Sequence, residues 1–231
     1  MRKLTVRLLR HTQRRELEEY LRIYKRSFNP DERVSPTVLR QVIVPSPARV
    51  NPVHLFTAHR GDRIVGGACT LVLPAFSAVF GSYIFVDPAL RGQGLGVGIL
   101  RQVLRQERRG PQGWNWRFYG EVTAASGDRW HVALAKTGFR FFPALWPLVS
   151  YHHPGRVVAG RLCYFPLRKK PPRRFSQPAL LLYIHALFYG PDSTHRHLIP
   201  RLKDFVRLEA SPGANIPVGV SDHERQVGGE T

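Results

Sequence analysis

The sequence predicts an α/β fold, a sheet covered by helices, and two observations carry that prediction. Apolar spacing switches between the two-residue period of strands and the 3.6-residue period of helices, in the order β-α-α-β-β-β-α-β-α-β. Near the middle, an apolar run ending at Val86 passes through Asp87-Pro88-Ala89-Leu90-Arg91-Gly92-Gln93-Gly94 directly into an amphipathic segment that begins at Leu95. At 231 residues, with 43% hydrophobic and 22% charged content, the chain suits one well-filled domain, or one domain with an appendage.

The elements follow in order. Leu4 to Leu9 reads as a first strand. Thr12 is placed to cap a helix from about Gln13 to Phe28, whose Leu17, Tyr20, Leu21, Tyr24 and Phe28 share one face. Asn29-Pro30-Asp31 ends it, and Ser35-Pro36 opens a short second helix that stops before Pro45. Val53–His59 and Ile64–Leu73 form a hairpin around Arg60-Gly61-Asp62-Arg63, and Ala78–Val86 is the next strand beyond Pro74. The helix from Leu95 to Arg109 turns Leu95, Ile99, Leu100, Val103 and Leu104 to a sheet and Arg101, Arg105 and Arg108 outward. Trp116–Thr123 is a strand, Asp128–Thr137 a helix closed by Gly138, and Phe139–Phe142 begins another strand.

A strand, a glycine loop and a helix N-terminus form an anion-binding device. The glycines let a ligand approach the backbone, and the first helical N–H groups lack intrahelical partners. The loop lacks the Gly-Lys-Ser/Thr ending of a P-loop, and a dinucleotide G-x-G-x-x-G counted from Gly92 fails at Val97. What stands there is Arg91-x-x-Gly94-x-Gly96, between an apolar strand ending Val-x-Pro and a helix.

This segment resembles the pyrophosphate loop of the GNAT superfamily of acyl-CoA-dependent N-acetyltransferases, whose pattern is Arg/Gln-x-x-Gly-x-Gly/Ala. The element order and the pair Gly138-Phe139 resemble the same family, over residues 3 to 153. The resemblance implies a mixed, mostly antiparallel central sheet flanked by helices, with a C-terminal extension. It implies acetyl-CoA as co-substrate, a small-molecule or peptide amine as acceptor, and direct attack of that amine on the thioester. The pyrophosphate would lie against Arg91, Gly92, Gln93, Gly94, Leu95 and Gly96, and the pantetheine against the backbone of Val86 and near Ser126, a residue that equally suits a helix cap.

The family pattern stops at the acid–base residues. Positions where many members carry a Glu or His hold Phe80 and Ser82, and the position of an acid-donating Tyr holds Leu134. Glu121, among Trp116, Phe118 and Tyr119, is the leading replacement base; a salt-bridged strand Glu is its plain alternative. Tyr83 and Tyr119 are candidate acids, although strand aromatics commonly pack.

The remaining observations bound the setting. Cys69 and Cys163 are far apart, without disulfide-framework or metal-site spacing, and His152-His153, His195 and His197 have no partners at zinc spacing, so no metal is expected. No signal-like or membrane-spanning apolar run appears, which reads as a cytoplasmic protein without a membrane partner. Lys and Arg total 35 against 16 acids, a net charge of +19 that suits polyanions such as CoA or nucleic acid. Arg156, Arg161, Arg168, Lys169, Lys170, Arg173 and Arg174 lie in a Pro-punctuated stretch, Gly155–Gln177, read as loop or extended chain. Its Tyr164 and Phe165 are too few for a known RNA module, so a nucleic-acid-binding protein is the weaker alternative, beside a non-catalytic acyl-CoA sensor or scaffold. Residues 154–210 would extend the core with a strand (Ala179–Phe188) and a helix (His197–Glu209), and 211–231 would be a disordered tail. The sequence leaves the oligomeric state and the identity of the amine open.

Overall fold

The computed structural model describes residues 3–46, 51–108, 117–123, 127–149 and 157–167. Among these described residues, seven strands form one sheet in the order β1-β2-β3-β4-β5-β7-β6. They are β1 (Leu4–Leu8), β2 (Val53–Arg60), β3 (Arg63–Leu73), β4 (Ala78–Val86), β5 (Arg117–Thr123), β6 (Arg140–Val149) and β7 (Val157–Pro166). Only β4 and β5 pair in parallel, as expected where a helix makes the crossover; the other neighbours are antiparallel. The helices are α1 (Arg14–Ser27), α2 (Pro36–Val42), α3 (Leu95–Arg108) and α4 (Gly127–Thr137). The mixed, mostly antiparallel sheet with flanking helices is the architecture the sequence predicts.

Each face of the sheet has its own core. On one, Leu17, Tyr20, Leu21, Ile23 and Tyr24 of α1 and Leu39 of α2 pack on Leu55, Cys69, Tyr83 and Phe85. Tyr20 donates a hydrogen bond to the Ala68 carbonyl at 3.0 Å, so the polar end of this buried ring is satisfied while its body fills the core. On the other face, Leu95, Ile99, Leu100, Val103 and Leu104 of α3 meet Val79, Phe118, Val122 and Leu134. These are the residues that the helical spacing selects.

α3 also protects a sheet edge. The Gln102 side chain accepts from the Val6 N–H and donates to the Leu4 carbonyl, both at 2.9 Å, and Gln106 donates to the Val6 carbonyl at 2.9 Å. Edge strand β1 therefore presents a covered rim to neighbouring chains.

Two expectations need correction. Thr12 does not cap α1: Gln13 occupies the N-cap position, and its side chain accepts from the Arg10 N–H at 2.8 Å. The stretch read as loop or extended chain instead contains β7, inserted between β5 and β6. Its Leu162 and Cys163 are fully buried, and Pro166 stands at its last position, where a missing ladder donor is tolerated. The strand expected at Ala179–Phe188, the helix at His197–Glu209 and the tail lie outside the described residues.

Candidate functional site

The glycine loop grows out of β4. The Asp87 N–H donates to the Val65 carbonyl at 2.9 Å, its carboxylate accepts from the Ala89 N–H at 3.2 Å, and a 3₁₀ turn covers Pro88–Leu90. Gly92 and Gly94 follow with φ of +82° and +72°, a region in which a side chain is strained. A Cβ at either would touch nothing within 4 Å, so it is the backbone path, not crowding, that requires glycine here. The first α3 bond runs from the Gly98 N–H to the Gly94 carbonyl at 3.2 Å, and the amides just before Gly98 have no preceding turn to bond. These donors, at the positive end of the helix dipole, suit a pyrophosphate. At Gly96 a Cβ would lie 3.5 Å from Trp130 and 3.8 Å from Val86, ordinary contact, so protein packing does not itself demand glycine there.

Side chains fix the loop from outside. Arg91 donates to the Ser27 carbonyl at 2.9 Å, and Gln93 accepts from Arg60 at 3.0 Å. Leu95 is buried in the α3 core and anchors the helix start. The Ser27 hydroxyl, at the end of α1, donates to the Ile23 carbonyl at 2.9 Å and lies 3.3 Å from the Val86 carbonyl, a shared contact between helix and strand end. Neither Ser27 nor Asp87 was singled out from the sequence; an Asp directly before Pro, able to cap the following turn, was the signal for the second.

The part of β4 that leads to the loop has no partner on the β5 side. β4 and β5 pair only from Ala78–Arg117 to Gly81–Gly120. At that point the β3 register shifts from Thr70–Gly81 to Cys69–Tyr83, leaving Ser82 as a bulge on β4. The Asp87-to-Val65 bond makes Val86–Gly66 a non-hydrogen-bonded pair, so the Val86 N–H and carbonyl point away from β3. Such a strand end can bond an extended ligand lying alongside it.

The candidate acid–base residues share one sheet face. Phe118 and Val122 of β5 join the α3 core, so Tyr119 and Glu121 alternate to the α1 side, where Tyr83 also packs. Glu121 is partly exposed, one position past the last β4–β5 pair, and opposes Leu162 of β7. Tyr119 is buried beside the Tyr164 ring, 6.2 Å between centroids, and burial pushes its phenol pKa up. The Tyr83 hydroxyl accepts from the Val34 N–H at 2.9 Å, and its ring packs edge-on against Tyr24 and Phe28. Phe80 and Leu134, where the resembling family often has its base and acid, are buried in the core. Ser126 lies outside the described residues. Among the described residues no group of three His, Cys, Asp or Glu could hold a metal ion, and no helix is long and apolar enough to cross a membrane.

Comparison with known proteins agrees with this geometry. The family model "Acetyltransferase (GNAT) family" matches residues 15–113, from the start of α1 through the glycine loop and α3. No curated protein matches the sequence. A GNAT-family protein of Bacteroides thetaiotaomicron superposes with a TM-score of 0.63 at 14% identity, over 81% of this chain and 99% of that one. The ribosomal-protein-S18-alanine N-acetyltransferase of Escherichia coli gives 0.53 at 18% identity, over 75% and 100%. The protein yncA of Salmonella typhimurium, solved with its cofactor acetyl-CoA, gives 0.50 at 16% identity, over 74% and 98%. At these identities the structures speak for the fold, and the family match speaks for the segment that carries the loop. The chain has the GNAT fold, and its residues 15–113 match the GNAT acetyltransferase family.

Proposed function

We propose that the protein transfers an acetyl group from acetyl-CoA to a primary amine on a small molecule or peptide. In this reaction a C–N bond forms, the thioester C–S bond breaks, and the proton lost by the amine is balanced by one gained at sulfur. The observation that carries the reading is continuity: the loop at Arg91–Gly96 follows the end of β4 that runs on to Val86 past its last pair with β5. Gly92, Gln93, Gly94, Leu95 and Gly96 would hold the pyrophosphate by backbone N–H groups, with Arg91 beside them. Val86 would bond the pantetheine, and Ser126 is assigned to the same chain by resemblance.

Acetyl-CoA supplies a thioester carbonyl open to attack. An ammonium group cannot attack it, and the Glu121 carboxylate is the base assigned to take the proton, directly or through water. The N–H at Val86 is the donor assigned to the charge that develops on the carbonyl oxygen. Tyr119 and Tyr83 are assigned as proton holders on the same face; burial favours the neutral, protonated phenol of Tyr119. Cys69 and Cys163, both free and buried, support a reducing compartment such as the cytoplasm.

A second reading, an acyl-CoA-binding sensor or scaffold without catalysis, draws support from the burial of Phe80 and Leu134 at 1% and 4% exposure, since neither can move a proton. Calorimetry with acetyl-CoA and CoA tests the site common to both readings. Gly96→Glu is the matched variant, because the Cβ has room but bulk and negative charge enter the anion site. Binding to the wild type that vanishes in the folded variant is the expected result. A folded wild type that binds neither ligand overturns both readings. With binding established, acetyl transfer to a panel of amines separates the enzyme from the sensor.

A further inference from the structure

Asp87 is the one aspartate among the buried polar side chains of the described residues, with 3% of its side chain exposed. A carboxylate so buried persists only if it is well compensated. Its Oδ1 accepts from the Ala89 N–H at 3.2 Å, and Arg26 donates to its Oδ2 at 3.1 Å. Arg63 stands 3.6 Å from the same oxygen. The three contacts come from three parts of the fold: the loop's own 3₁₀ turn, the last turn of α1, and the start of β3.

These contacts converge on the glycine loop. Arg26 precedes Ser27, whose carbonyl receives Arg91 and whose hydroxyl reaches the Val86 carbonyl. Fixing Arg26 therefore fixes the end of α1, whose Ser27 carbonyl holds Arg91 and whose Ser27 hydroxyl, bonded to Ile23, shares a longer contact with the strand end. Arg26 and Arg63 are themselves 48% and 65% exposed, so neither is held in place by burial. Asp87 is their common anchor.

Resting on the acyl-CoA reading above, we propose that Asp87 is a positioning residue for the acyl-CoA loop, acting through Arg26, Ser27 and the Ala89 cap rather than touching the ligand. Coulomb's law and positioning make opposite forecasts for its removal. Deleting a negative charge, and releasing two arginines, beside a site for a polyanion would tighten CoA binding on electrostatic grounds alone. If the carboxylate instead preorganises the loop, its loss weakens binding, because ordering the loop then falls to the ligand.

The test is calorimetric titration of CoA into Asp87→Asn and Asp87→Ser, with steady-state kinetics in acetyl-CoA. Both replacements keep an oxygen that can cap the turn, and the smaller Ser guards against misfit of the amide. The expected result is a Kd for CoA raised roughly tenfold in folded protein, a shift that electrostatics alone cannot give in this direction. The loss should fall on KM for acetyl-CoA rather than on kcat. An unchanged or tighter Kd in either folded variant overturns the proposal, and so does a fall in kcat with KM unmoved. A wild type without CoA affinity sinks the acyl-CoA reading itself. Wild-type binding that Gly96→Glu abolishes and Asp87→Asn leaves intact sinks only the role of Asp87.

Discussion

Gly81 and Gly120 are the last residues at which β4 and β5 lie side by side. Beyond them β4 bulges at Ser82, and Glu121 is the first β5 residue past the pairing. The two glycines are not equivalent. A Cβ at Gly81 would run into the Phe118 ring, whereas one at Gly120 would meet Cys163 Sγ at 3.7 Å and the Gly81 carbonyl at 3.8 Å, ordinary contact. The close approach at Gly81 seats Phe118 against β4, just before the strands part.

Gly81→Ala is accordingly expected to overpack this junction, at a cost of about 1–3 kcal/mol. Gly120→Ala is expected to cost less, because its added methyl has room. Urea unfolding of both variants checks this, the midpoint falling clearly for the first and little for the second. Equal midpoints would mean that Phe118 moves aside without penalty.

The junction itself was not legible beforehand, but much of the fold around it was. The amphipathic spacing of α1 and α3 names the residues that fill both cores, because a helix buries what its period brings to one side. The Arg91-x-x-Gly94-x-Gly96 spelling locates the loop; of its two glycines the positive φ at Gly94 accounts for one, and Gly92, outside the spelling, holds the other positive φ of the turn. β7 was missed for a physical reason. Its apolar residues are interleaved with Arg161 and followed by a basic, Pro-bearing run, so charge and proline obscured a strand buried on both faces. The links from Ser27 to Val86 and Arg91, across roughly sixty positions, were out of reach: the residues meet only once α1 lies along β4. A single serine at a helix end carries no such information.

Glu121 is the side chain on which the proposed chemistry turns. If its carboxylate takes the amine proton, Glu121→Gln should lower kcat by roughly 10²–10⁴, the usual worth of a general base. The rise of rate with pH should flatten, because the amide has no proton to lose. Pre-steady-state and steady-state rates across the pH range, with CoA affinity measured alongside, check both effects. A fully active Gln variant would return Glu121 to a structural role on β5.

Buried acids set the alkaline limit of stability. Burial pushes the Cys69 thiol up to about 12, with Glu107 adding to the effect, and raises the Cys163 thiol as well. The Tyr20 and Tyr119 phenols are also raised, again chiefly by burial. All four groups bind their protons more tightly in the folded chain than in the unfolded one. Their contribution to stability is therefore fully present below the unfolded thiol value of 9.0 and is lost as pH climbs from there toward about 12. Urea midpoints should hold steady from these groups near neutrality and fall progressively above about pH 9, where the unfolded thiols begin to ionise. Thiol reagents give an independent readout: Cys69 and Cys163, both buried, should label slowly in the native protein and rapidly in urea. In Cys69→Ala/Cys163→Ala the first part of the alkaline fall should be shallower, leaving the later part to the tyrosines. An alkaline profile identical to that of the wild type would show that the thiols ionise as readily folded as unfolded, against their burial in both cores.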